Sequence, residues 1–238
     1  MPDLLPLFLN LTGREVLLVG GGPVATAKLR QLLAAGARVR VVAPAITDEI
    51  RDVVARSVQG RERGAESLAP HPVILEKRAF APADLDRAWL VVAAATPEVN
   101  RQVADFAEPL RIFVNAVDDP DNATAFLSGV VRRDGVTLAI STSGAAPALT
   151  ALLREGLDAL LPRDLASWVW QARAARVAWR RDGVPMEARK PRLLKALNAL
   201  YQEGTAETVE HDSVAIAAIA AVERPRVPWL NGPEDSWL

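Results

Sequence analysis

The chain has 238 residues, half of them hydrophobic, with a formal net charge of -1 and no cysteine. That length leaves room for one large domain or two modest ones, and that balance excludes a disordered chain or a nucleic-acid coat. Without cysteine there are no disulfides, thiolate metal sites or cysteine nucleophiles, and His71 and His211, far apart in the chain, suggest no zinc centre.

The chain opens on Met1-Pro2-Asp3-Leu4, without the basic region of a secretory signal, and no apolar run reaches the ~20 residues that span a bilayer. The expected compartment is the cytoplasm, with neither membrane nor nucleic acid as partner. Leu4, Leu5, Leu7, Phe8, Leu9 and Leu11 then form an apolar lead-in, expected to pack along a sheet edge. Val16-Leu17-Leu18-Val19 carries no alternating polar residue, as suits a central strand of a parallel sheet covered on both faces. Gly20-Gly21-Gly22 permits a sharp turn, Pro23 pre-sets a first helical turn, and Ala25, Leu29, Leu32 and Leu33 recur at helical spacing as far as Gly36. Set between strand and helix, Gly20-x-Gly22-x-x-Ala25 is a dinucleotide fingerprint. A diphosphate can sit on the unsatisfied N–H groups of the helix start, with Gly22 admitting close approach and Ala25 close helix packing. A glycine turn that binds no nucleotide is the plain alternative.

Val39 to Ala43 is a second apolar strand at the βαβ distance. The acid that would hold an adenosine ribose at its end is absent, since the chain reads Val42-Ala43-Pro44-Ala45, and the ribose is left to the backbone. Pro44 to Gln59 predicts a helix with Ile46, Ile50, Val53 and Val54 on one side, and Gly60 to Pro72 a polar surface connection containing His71. Val73 to Leu75 predicts a third strand. Trp89 to Ala94 predicts a fourth, ending in Ala95-Thr96, which offers room for a ring and one hydrogen bond. A helix over Pro97 to Glu108 carries Asn100, and a strand over Ile112 to Asp118 delivers Asn115 and Asp118 to the same edge. Strands alternating with helices predict an α/β, Rossmann-like, doubly wound parallel sheet.

Phe126 to Val131 and Val136 to Thr142 then predict two strands joined through Arg132-Arg133-Asp134-Gly135, an Asp-Gly hairpin signal. Ser141-Thr142-Ser143-Gly144 leads into a helix from Ala148 and reads equally as an anion seat or a helix cap. From Ala151 onward the chain is helical, with Leu152, Leu153, Leu157, Leu160 and Leu161 on one face, then Trp168 to Trp179, then Leu193 to Leu200. Residues 151–205 carry a basic surplus, which suits a solvated face or a lid over an anionic substrate. Residues 206–238 are acidic and suggest no role. The expected divisions are 1–118, a dinucleotide-binding domain; 119–150, a hairpin and dimerisation segment; 151–205, a helical domain; and 206–238, a tail.

Several motifs recur in a familiar order: Pro6-Leu7-Phe8-Leu9-Asn10-Leu11, Val19-Gly20-Gly21-Gly22-Pro23-Val24-Ala25 with Lys28, Val41-Val42-Ala43-Pro44, Ala93-Ala94-Ala95-Thr96 with Asn100, Asn115-Ala116-Val117-Asp118, and Ile140 to Pro147. In them the chain resembles the precorrin-2 dehydrogenase family of siroheme synthesis, including the amino-terminal module of siroheme synthases. The resemblance implies NAD-dependent oxidation of precorrin-2 to sirohydrochlorin, with ferrous iron a second substrate in members that go on to siroheme. It implies that Asp118 is catalytic in both steps and a transient iron guide, which suits a carboxylate; a turn cap in Asp118-Asp119-Pro120 is the plain alternative. Gly20, Gly21, Gly22, Pro23, Val24, Ala25, Ala43, Pro44, Ala95, Thr96, Asn100 and Asn115 are the expected cofactor residues. Arg132, Arg133 and Arg154, with Ser141, Ser143 and Gly144, are expected to meet the carboxylate-rich substrate, and a homodimer is expected through residues 119–150 and the helices after them. Phe126-Leu127-Ser128-Gly129 departs from the Phe-x-x-Pro often found in the family. Two other dehydrogenase classes are excluded by inspection: Tyr201 has Thr205 rather than lysine four residues on, and neither histidine is placed as an acid/base. The rival of another kind is a nucleotide-sensing module, which needs no catalytic carboxylate.

Overall fold

A computed structural model describes residues 4–62, 73–127 and 129–208. His71, Ser128, His211 and the tail from residue 209 lie outside the described residues. The elements run β1 (Glu15–Val19), α1 (Pro23–Ala34), β2 (Arg38–Val42), α2 (Asp48–Glu62), β3 (Ile74–Glu76), β4 (Leu90–Ala93), α3 (Pro97–Ala107) and β5 (Phe113–Ala116). After them come β6 (Gly129–Arg133), β7 (Val136–Ile140), α4 (Pro147–Leu160), α5 (Leu165–Arg181) and α6 (Met186–Thr208).

β1 is the middle of a five-stranded sheet of order β3-β2-β1-β4-β5, in which all four pairings are parallel. The uninterrupted apolar run of β1 follows from this position. Val16 and Leu18 meet Ala25, Leu29, Leu32 and Ile50 on one face, while Leu17 and Val19 meet Leu85, Val103 and Ala107 on the other. Each fully buried Val, Leu or Ile side chain among them contributes about 1.5–3 kcal/mol. The strand order reverses between β1 and β4, so their carboxyl ends open the crevice in which such sheets hold ligands.

A charge cluster around the buried Asp84 braces the sheet. Arg40 of β2 reaches Glu15 at 3.3 Å, Glu76 at 3.5 Å and Asp84 at 3.3 Å, and Arg78 donates to Asp84 Oδ2 at 2.7 Å. Asp84 also accepts from the Ala81 N–H at 2.8 Å. The Arg78 hydrogen bond, helped by that N–H and by the Arg40 charge, holds the Asp84 carboxyl below the usual carboxylate range against the opposing effect of burial.

Four expectations change. The lead-in does not line the sheet: Leu4, Leu5, Leu7, Phe8 and Leu9 are exposed and join no strand, because only Leu11 turns into the core. α2 begins at Asp48 rather than Pro44, because the Thr47 N–H is taken by the Gly21 carbonyl at 2.9 Å and Thr47 Oγ1 caps the Ile50 N–H at 3.3 Å. β5 ends at Ala116, and Asp118 lies in the following turn. β6 begins at Gly129, since Leu127 turns onto the α1-side core instead of pairing.

The chain divides into two compact units, one holding residues up to Arg132 together with Thr137–Leu161, the other Arg133–Val136 with residues from Pro162 onward. The first contains the sheet, its helices, most of β6 and β7, and α4. The second contains the hairpin tip with α5 and α6. Asp134 (φ 51°) and Gly135 (φ 82°) are both left-handed, as a two-residue hairpin turn requires. A Cβ at Gly135 would lie 3.4 Å from Arg173 and 4.0 Å from Val169, so the tip rests on α5.

Candidate functional site

Three glycines build the floor of the crevice, and they do different jobs. A Cβ on Gly20, whose φ is 122°, would fall 2.2 Å from the Ala94 carbonyl oxygen, and one on Gly21 would fall 2.0 Å from that of Ala45. Both are glycine because neighbouring backbone, from the β4 exit and the β2–α2 loop, already occupies the space. A Cβ on Gly22 would meet nothing within 4 Å. Gly22 is also the residue before α1, with extended φ and ψ and no side chain capping the helix, so the amino end of α1 is left uncapped. This is the fit expected of an anion-binding dinucleotide loop. Pro23 and Val24 are exposed beside it, and Ala25 is buried where α1 meets β1.

The rim is tied together by hydroxyls and amides. Thr26 Oγ1 donates to the Gly22 carbonyl at 3.0 Å and shares a hydrogen with Thr47 Oγ1 at 2.9 Å, joining α1 to the loop that holds Ala43 and Pro44. That loop supplies no carboxylate, as the sequence indicated. Ala95 and Thr96 are exposed at the β4 exit. The Glu98 carboxyl is lowered by its own backbone N–H and then by the Thr96 hydroxyl. Asn100, 2% exposed, accepts from the Ala95 N–H at 3.0 Å and donates to the Val117 carbonyl at 3.4 Å. Its amide therefore locks the β4 and β5 exits at one spacing. Asn115 donates to the Ala125 carbonyl at 2.9 Å, and its Oδ1 is buried without a partner among the described residues.

The β5 exit delivers Asp118 on a left-handed backbone, φ 57°, with its side chain exposed. Lys28, half-buried on α1, feels the Asp118 charge, and burial outweighs that attraction and pushes its pKa down. The Ser141–Ala146 loop lies alongside: a Cβ on Gly144 would sit 3.5 Å from Pro120, two residues past Asp118. Within it Thr142 Oγ1 accepts the Ala146 N–H at 3.2 Å, and Ser141 Oγ accepts the Ser143 N–H at 3.1 Å. Ser143 and Gly144 both have positive φ.

Arg132 is exposed on β6, Arg133 groups with the second unit, and Arg154 of α4 pairs with its neighbour Glu155 at 3.4 Å. Sequence reasoning passed over Thr26 and Thr47, which bind the glycine turn to the β2 exit. Thr47 ahead of Asp48-Glu49 was the available signal, a capping residue before an acidic first turn. Among the described residues no group of three or more His, Asp or Glu is placed to hold a metal ion, and no helix is long and apolar enough to cross a membrane.

Comparison with known proteins agrees with this geometry. The family model described as "Putative NAD(P)-binding" matches residues 7–129, and that described as "Sirohaem biosynthesis protein central" matches residues 133–160. Siroheme synthase 3 of Aeromonas hydrophila is 43% identical over 166 residues, which are 69% of this chain and 32% of that protein. Siroheme synthase of Nitrosomonas europaea is 40% identical over 162 residues, 67% of this chain and 31% of that protein. The chain thus spans about a third of the length of these relatives. Among solved structures, "SirC, precorrin-2 dehydrogenase" superposes with a TM-score of 0.56 at 24% identity, covering 81% of this chain and 88% of its own, and so shares the fold. With that first model matched over more than half of the chain and a dinucleotide crevice built at the matched motifs, the chain belongs to the family described as "Putative NAD(P)-binding", and the stretch directly behind it is similar to the sirohaem biosynthesis central family.

Proposed function

We propose that the chain oxidises precorrin-2 to sirohydrochlorin with NAD, acting in the cytoplasm as a homodimer, and that it accepts ferrous iron as a further substrate to give siroheme. The observation that carries the reading is the β5 exit. Asp118 stands there exposed and free of hydrogen bonds among the described residues, in the crevice where Gly22 leaves room for a dinucleotide. NAD, when bound, supplies the hydride acceptor.

The chain's residues do the rest. The first-turn amides of α1 hold the diphosphate, with Gly20 and Gly21 setting the loop and Pro23, Val24 and Ala25 starting the helix behind it. Ala43, Pro44, Ala95 and Thr96 line the rim with small or rigid groups, and Asn100 and Asn115 fix the strand exits. Asp118 takes the proton that the tetrapyrrole loses, a role for which an unencumbered carboxylate is chemically suited, and the same carboxylate guides ferrous iron, a hard cation, toward the macrocycle. Ser141, Ser143, Gly144, Arg132, Arg133 and Arg154 are assigned to the substrate's carboxylates, and residues 119–150 with the following helices to the dimer.

The test is anaerobic incubation of the purified protein with precorrin-2 and NAD, following NADH and the tetrapyrrole spectrum, and then addition of ferrous iron. Sirohydrochlorin with stoichiometric NADH is the expected result, followed by metal insertion faster than the enzyme-free control. NAD binding without turnover would leave the nucleotide-sensing alternative.

A further inference from the structure

Lys28 is a cation of the crevice that the reaction as described leaves unused. It lies in the second turn of α1, between the buried Ala25 and Leu29 and itself half-buried. Val117, Ala125 and Leu127, from the chain leaving β5, pack on the same core cluster as Ala25 and Leu29. That packing sets the chain leaving β5 on the α1 side of the sheet, and Asp118 lies near enough for its charge to act on Lys28. Helical side chains lean toward the helix amino end, so the ammonium is carried back toward the glycine turn.

A partly buried cation normally has a counter-ion, because withdrawing charge from water without one is costly. Arg40 obeys the rule, with three carboxylates within 3.5 Å. Lys28 does not. It makes no hydrogen bond or ion pair with any described residue, and the charge it feels, that of Asp118, lies beyond ion-pair distance. Burial accordingly lowers its pKa.

We propose that Lys28 is the seat of one carboxylate of the tetrapyrrole substrate, set beside Asp118 so that an anionic substrate can approach an anionic base. The proposal deepens the dehydrogenase reading and rests on it for the identity of the ligand. A substrate carboxylate arriving near Asp118 alone meets like charge; an ammonium in range of both makes the approach favourable and selects which edge of the macrocycle faces Asp118. The dinucleotide diphosphate is the other anion of the crevice. It is served by the uncapped amino end of α1 at Gly22, so the two anions are told apart by the NAD Kd.

Lys28→Met and Lys28→Arg, each checked for native circular dichroism, separate the two anions. Three quantities are read: KM and kcat for precorrin-2, Kd for sirohydrochlorin from tryptophan quenching, and Kd for NAD. For Lys28→Met we expect KM and the sirohydrochlorin Kd to rise about tenfold or more, the loss of one charge-assisted contact, with kcat falling less than KM rises and the NAD Kd within twofold. Lys28→Arg should recover most of the binding, and Lys28→Gln replaces the Met variant if that one misfolds. A weakened NAD Kd with unchanged tetrapyrrole binding would overturn the proposal in favour of a phosphate contact, and unchanged tetrapyrrole binding and KM would overturn it outright. Wild-type protein that binds sirohydrochlorin but reduces no NAD would defeat the dehydrogenase reading alone, and the binding arm would still decide Lys28.

Discussion

At the residue scale the three glycines make separable statements. Gly21 has backbone where its side chain would be, and Gly22 has open space. Gly21→Ala should therefore cost the fold ~3 kcal/mol or more in urea denaturation, as overpacking against immovable backbone does. Gly22→Ala should leave stability within about 0.5 kcal/mol and weaken NAD about tenfold or more by calorimetric titration, because the added methyl stands where the cofactor backbone must come close. Asp118→Asn keeps the shape of the turn and removes the base. Its expected signature is a fall in kcat of about 10² or more with the NAD Kd unchanged; unaltered turnover would remove Asp118 from the chemistry. These roles differ in how legible they were. The glycine spacing and Asn115-x-x-Asp118 stood out because each is a local pattern. Asn100 was visible as a position but not as a clamp, since its partners, Ala95 and Val117, are set by two different strands. The open side of Gly22 was likewise a property of everything around it.

At the element scale the parallel strands and the helices between them were readable from unbroken apolar runs and helical periodicity, and the Asp134-Gly135 turn from its dipeptide. Boundaries failed where one element was cut short by another. α2 loses its first turn to the Gly21 carbonyl, and β6 loses Leu127 to the core under α1. The Asp84 cluster was invisible for the same reason, since Arg40, Glu15, Glu76 and Asp84 come from separate segments. It carries a pH prediction. Asp84 has a lowered pKa in the folded chain, so the unfolded chain binds the proton more readily. The stabilisation is therefore complete above the ordinary carboxylate range and is lost as pH falls through the folded value. Asp84→Asn should destabilise by ~3 kcal/mol at pH 7, a buried pair broken on one side. The gap to wild type, measured by chemical denaturation, should narrow steadily below the ordinary carboxylate pKa, and a gap that widens on acidification would refute the assignment.

At the scale of the whole molecule, exposed apolar residues are the feature that single-chain packing does not explain. Leu149, Leu152, Leu153 and Leu160 on α4, with Leu5, Leu7, Phe8 and Leu9 in the lead-in, are all more than two-fifths exposed. A homodimer through 119–150 and the helices behind it would cover the first group, and sedimentation at micromolar concentration should return twice the chain mass of 25.6 kDa; a monomer there would count against it. The hairpin has another consequence, for anyone who would take this protein apart. Its strands fold with the sheet while its tip, Arg133–Val136, folds with the helices from Pro162 onward, so the backbone passes between the units three times. No single break in the gene yields two self-sufficient halves. A product ending at Leu161 would keep Gly135 and lose the α5 surface formed by Val169 and Arg173 on which it rests. Expressed alone, that product should show a lower melting temperature in its dinucleotide-binding part than the same part shows within the full chain.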